Sequence, residues 1–66
     1  MNQIKKFRKI AGFTQAELAE KLDVSQITVS KWETGRSFPS VKRLRTVADV
    51  LGTKPQNLID DEARAI

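Results

Sequence analysis

Gln26, Ile27, Ser30 and Lys31 stand one and four residues apart, a spacing that gathers them, with Thr34, on one side of a 3.6-residue helix. Their chemistry is that of recognition. A Gln amide offers a donor and an acceptor side by side, the complement of the N6 and N7 edge of adenine. Ile27 has no hydrogen-bonding atom and suits an apolar partner such as the methyl of thymine, while Ser30 and Lys31 add a hydroxyl and a cation. Bond-making chemistry lacks its usual groups. The 66 residues include no His and no Cys, so the common bases and thiolate nucleophiles are missing. A zinc site would have to be built from carboxylates alone. The three glycines each fall at an expected helix end, and none forms a phosphate-cradling loop. The expectation is a protein that is not an enzyme, with no metal, no cofactor and no small-molecule ligand.

The elements that must hold these residues are marked by their punctuation. Ile4, Phe7 and Ala11 recur at i, i+3 and i+7 and predict a first helix over about 2–11, closed by Gly12. Thr14 with Glu17 three residues on is a capping box, opening a second helix over about 15–22 with Leu18, Ala19 and Leu22 inward. Ser25 is the N-cap candidate of a third helix over about 26–34, stopped by Gly35. On that helix Val29 and Trp32 point to the core, opposite the recognition side. Pro39 and Ser40 start a fourth helix, with Leu44, Val47, Ala48 and Leu51 inside and Gly52 as its stop. Pro55 at a first helical position starts a short fifth, whose Leu58 and Ile59 close over the core. No stretch alternates as a strand would. The expected fold is all-α, with five short helices in one domain over 1–66. A chain of this size buries only about 60% of its unfolded surface, so its core must be efficient or helped by a partner.

Residues 15–34 hold two helices of eight or nine residues separated by about three, the geometry of a helix-turn-helix. Ala19 supplies the small residue where the helices cross, and Leu18, Leu22, Val24, Val29 and Trp32 supply the apolar inner side. Charge is uneven. Residues 1–45 carry ten Lys/Arg against four Asp/Glu, and residues 46–66 carry two against four, which fits one face presented to a polyanion. Uninterrupted apolar stretches reach only two or three residues, far short of the roughly 20 that cross a bilayer. The basic N-terminus is followed by no apolar block and so is not a secretion signal. Without Cys there is no disulfide framework, and the expected location is the cytoplasm.

The run Thr14-Gln15-Ala16-Glu17-Leu18-Ala19-Glu20-Lys21-Leu22, then Val24-Ser25-Gln26, then Val29-Ser30-Lys31-Trp32-Glu33-Thr34-Gly35 resembles the Cro and lambdoid-repressor (XRE-like) type of helix-turn-helix. The likeness continues through Pro39-Ser40, Leu44, Ala48, Leu51-Gly52 and Leu58-Ile59. It implies a compact five-helix, lambda-repressor-like domain that binds double-stranded DNA in a sequence-specific way. The family is one of transcription regulators, commonly repressors, that bind a two-fold related operator as homodimers. Two positions depart from the pattern. Asp23 stands where most members have Gly, a change that the turn tolerates because Asp adopts left-handed backbone at modest cost. Lys54 replaces the Ser or Asp that usually caps the last helix, and weakens that cap.

In helix-turn-helix docking the N-terminal part of the second motif helix enters the major groove. Gln26 and Ile27 then lie deepest, and with Ser30 and Lys31 make up the candidate base-reading set. The alternative for Ile27 is a half-buried packing residue. Gln15, Ser25, Thr34, Arg36, Ser40 and Lys42 make up the candidate set for the DNA backbone. The Gln15 amide sits where a phosphate fits at a helix N-terminus. The resemblance adds that Gln15 touches the backbone and braces Gln26. Ser25 caps its helix as well. The loop 35–40 with Lys42 and Arg43 forms a basic patch that would position the protein without reading sequence; Arg43 and Arg45 cannot both face it. The resemblance also pairs Arg8 with Glu33 as a structural ion pair. The competing function is a protein-interaction module, such as an antitoxin or regulatory subunit, but such a surface would want more apolar and aromatic groups than the third helix turns outward. Because the chain ends soon after the motif, no separate effector domain is expected. The expected partners are double-stranded DNA and a second copy, with no membrane. Dimerisation falls to the fifth helix and tail, residues 55–66 with Ile59 and Ile66, where residues 60–66 are either flexible or part of the interface. It would set two recognition helices about 34 Å apart.

Overall fold

Among the described residues four α-helices form, three of them opened by a side-chain cap. The structure, a computed structural model, describes residues 3–59. Helix α1 spans Ile4–Ala11, α2 Gln15–Leu22, α3 Gln26–Thr34 and α4 Val41–Leu51. The α2 start is a complete capping box: the Glu17 amide donates to Thr14 Oγ1 at 3.0 Å and the Thr14 amide donates to Glu17 Oε1 at 2.9 Å. Ser25 and Ser40 cap α3 and α4, each hydroxyl oxygen accepting an amide of the first turn at 3.2 Å. Asp23 ends α2 in left-handed backbone, φ 58 and ψ 43, and the following Val24 amide donates to Ala19 O at 3.0 Å. Asp23 therefore does what Gly12, Gly35 and Gly52 do at the other helix ends.

Every helix contributes to a single core of Ile4, Leu18, Ala19, Leu22, Val29, Trp32, Leu44, Val47, Ala48, Leu51 and Leu58, edged by Phe7, Phe13, Val24, Val50 and Ile59. Helix α4 packs on α1, α2 and the last turn, while α2 packs on α3. Ile4, Leu18, Val29, Val47 and Leu58 are fully buried, each worth about 1.5–3 kcal/mol relative to exposure. This core holds the helix-turn-helix pair rigidly enough to present one side of α3 outward.

Three expectations change. The fifth helix is a single 3-10 turn over Pro55–Leu58, because Lys54 provides no side-chain cap. Leu58 is buried all the same, and its carbonyl accepts the Gln3 amide at 2.9 Å, joining the two ends of the described chain. Ala11 is exposed: α1 stops at Gly12, beyond the edge of the core, and its inner side is instead Ile4 and Arg8 with Phe7 half-buried. The first helix begins at Ile4, and residue 2 of the expected span lies outside the described residues, as does the tail 60–66.

The capping box makes a pH prediction. The hydrogen bonds with Thr14, backbone first, and the charge of Lys21 hold the Glu17 carboxyl below its ordinary value near 4.5. With the folded value below the unfolded one, ionised Glu17 favours the fold above that ordinary value, and the contribution disappears as pH falls through the folded value. Glu17→Gln keeps an acceptor without the titration. Urea unfolding below about pH 4.5 should lose stability less steeply in the variant than in the parent; equal slopes would rule the contribution out.

Candidate nucleic-acid interface

The outward side of α3 begins at Ser25, whose hydroxyl is shared between the Thr28 amide and the Thr28 hydroxyl, the latter at 3.0 Å. Gln26 and Lys31 are exposed and Ser30 is half-buried. Ile27 is 69% exposed, which excludes the packing role considered for it. Thr34 donates its hydroxyl hydrogen back to Ser30 O at 3.0 Å and Lys31 O at 3.3 Å. Ile27, Ser30, Lys31, Thr34 and Arg36 line one open concavity, so residues assigned to base reading and to the backbone share a surface. Gln26 lies at the helix start, outside that group. The acid of α3, Glu33, is turned into the protein, which leaves no negative charge on the outward side.

Glu33 is the hinge point of the motif. Arg8 donates from Nε to Glu33 Oε2 at 2.6 Å and from Nη2 to Oε1 at 3.2 Å, and from Nη1 to the Phe13 carbonyl at 2.8 Å. The Arg8 and Glu33 side chains are only 10% and 2% exposed. Gln15 Nε2 donates to Glu33 Oε1 at 3.0 Å. Gln15 thus braces Glu33, a partner the resemblance did not imply, through a charge-assisted bond to a buried carboxylate. The network locks the start of α2, the end of α3 and α1 to one another.

A second concavity is lined by Ser40, Lys42, Arg43 and Thr46. Arg43 sends Nη1 to the Leu22 carbonyl at 3.0 Å, satisfying an orphan acceptor of the last turn of α2 and fixing α4 against the helix-turn-helix. Arg45 is exposed. Thr46 donates to Lys42 O at 3.3 Å. Thr46 and the bond made by Arg43 escape a reading of the sequence, which places Arg43 only in the basic patch. Thr46 follows Lys42 by one helical turn, a signal that could have been used; the partner of Arg43 is 21 residues away, and no local pattern announces it.

Residues 4–58 match the helix-turn-helix family. The chain belongs to the Cro/C1-type helix-turn-helix family. Members of this family are DNA-binding transcription regulators. The HTH-type transcriptional activator BcrR of Enterococcus faecalis is 30% identical over 60 residues, 91% of this chain, but the chain spans only 29% of BcrR. The structure of the biofilm regulator SinR in complex with DNA superposes with a TM-score of 0.79 at 36% identity, covering 88% of this chain and 94% of that one. Hydroxypropylphosphonic acid epoxidase from S. wedmorenis contains the same fold, with a TM-score of 0.81 and 31% identity over 86% of this chain and 30% of the enzyme. A helix-turn-helix domain of this kind therefore also occurs inside a much longer enzyme. Among the described residues of this helix-turn-helix no cluster of His, Cys, Asp or Glu could hold a metal, and no helix is long and apolar enough to cross a membrane.

Proposed function

We propose that this helix-turn-helix chain is a cytoplasmic, non-catalytic repressor that reads the major groove of double-stranded DNA with α3. Gln26, Ile27, Ser30 and Lys31 contact base edges. Gln15, Ser25, Thr34, Arg36, Ser40 and Lys42 hold the sugar-phosphate backbone on either side. The observation that carries this function is the outward side of α3: an exposed amide, an exposed Ile and an exposed Lys, with the acid of the helix withdrawn into the Arg8 pair.

The chain acts as a homodimer through residues 55–66. Within that segment Leu58 belongs to the core and Ile59 is half-buried against it, so among the described residues the exposed ones of the last turn are left for the contact, and 60–66 lie outside the described residues. Selection of bound duplexes from a random pool at near-physiological salt should enrich an inverted repeat with half-site centres about one helical turn apart. Binding without an enriched motif, lost as salt rises, would reduce the interaction to phosphate attraction and favour a protein-interaction module instead. Equilibrium sedimentation on the selected duplex should find two chains per operator; one chain per operator would refute the dimer.

A further inference from the structure

Ile27 is 69% exposed on a face otherwise made of hydroxyls and cations, and it forms one wall of the concavity shared with Ser30, Lys31, Thr34 and Arg36. An apolar side chain left in water next to two cations fits a polyanion that carries an apolar group. In the major groove that group is the 5-methyl of a pyrimidine. Resting on the proposed docking of α3, we infer that this patch recognises the 5-methyl group itself, so that 5-methylcytosine can replace thymine at one position of each half-site.

Thymine and 5-methylcytosine put the same methyl into the groove and differ at C4, where one carries an acceptor oxygen and the other a donor amine. The groups around Ile27 can accommodate either base pair. Ile27 has no polar atom, and the Ser30 hydroxyl both donates and accepts. The Thr34 hydroxyl hydrogen is spent on the Ser30 and Lys31 carbonyls. Lys31 and Arg36 only donate, and both base pairs offer them acceptors: adenine N7 and thymine O4 in one, guanine N7 and O6 in the other. Gln26, which does separate adenine from guanine, lies outside the concavity, so on this proposal it reads a different base pair. Methylation of cytosine would then create or strengthen an operator.

The test uses the full chain and the selected duplex. Each thymine is replaced in turn by uracil, which removes the methyl and keeps the pairing. At one thymine per half-site, uracil should weaken binding about four-fold, the value of one buried methyl-sized group. A 5-methylcytosine–guanine pair at that position should bind like the thymine pair, and the unmethylated pair about four-fold less tightly. Ile27→Ala, a change at an exposed position, should melt like the parent and bind the thymine and uracil duplexes equally. The inference fails if no thymine responds to uracil, if Ile27→Ala keeps the full uracil effect, or if methylated and plain cytosine bind alike. It fails too if no sequence is enriched at all, an outcome that also removes the docking of α3. Methyl-blind but sequence-selective binding would leave the docking in place.

Discussion

Glu33→Ala should destabilise the fold by about 3–5 kcal/mol, the usual cost of stripping one partner from a buried ion pair. The Arg8 side chain is 10% exposed, and Nε and Nη2 both bond to Glu33; only the Nη1 bond to Phe13 O survives the substitution. A guanidinium does not deprotonate to escape, so the variant carries an unpaired buried cation. Small domains have about 5–15 kcal/mol in total, and this one sits at the small end, so the loss takes most of what there is. Urea unfolding should show a much lower midpoint at an unchanged slope. The paired change Arg8→Met with Glu33→Leu should recover most of the loss, since an apolar pair of similar volume buries no charge. A cost below about 1 kcal/mol for Glu33→Ala would mean that solvent screens the pair as it does at a surface. The substitution has a functional consequence as well. Gln15 loses the acceptor for its amide, so where the variant remains folded its phosphate contact should weaken on every sequence alike.

The ends of α2, α3 and α4 are legible in the sequence because each is signalled by local side-chain chemistry: Thr14 with Glu17, Ser25, Ser40, and the residues able to turn left-handed after each helix. The core of α2, α3 and α4 is legible for a related reason, since a periodic apolar pattern survives whatever the rest of the chain does. Residue type alone fails where the deciding contact is distant. Arg8 is one of four cations in α1 and nothing in its type marks it as buried; its pairing with Glu33, 25 residues away, comes from the resemblance and is what the structure has. The bond of Gln15 to Glu33 depends on that same buried carboxylate. The last element is misjudged because Pro55 starts a helix well, but four residues without a cap cannot sustain one. Ile27 shows the opposite case, in which periodicity alone puts the residue outward and the 69% exposure agrees.

Gln26→Ala and Lys42→Ala should both weaken DNA binding, in ways that separate reading from positioning. Gln26 stands exposed at the first position of α3, beside the Ser25 cap, where a helix entering the major groove places its deepest contacts. A bidentate amide-to-adenine pair is worth about 1–3 kcal/mol of discrimination, so Gln26→Ala should lose roughly 5- to 150-fold on the selected duplex and little on duplexes altered at that one base pair. Lys42 is exposed in the first turn of α4, in the concavity with Ser40, Arg43 and Thr46. As a point charge on a phosphate it carries no sequence information. Lys42→Ala should therefore lose affinity by the same factor on all duplexes and reduce the slope of log K against log salt by about 1. Both residues are exposed and neither belongs to the core, so melting temperatures should stay close to that of the parent. Titrations of both variants on matched and mismatched duplexes at several salt concentrations decide the matter. If the Gln26 variant loses equally on every duplex, α3 does not read that base pair through its first residue, and if the Lys42 variant keeps the parental salt slope, the start of α4 does not touch the backbone.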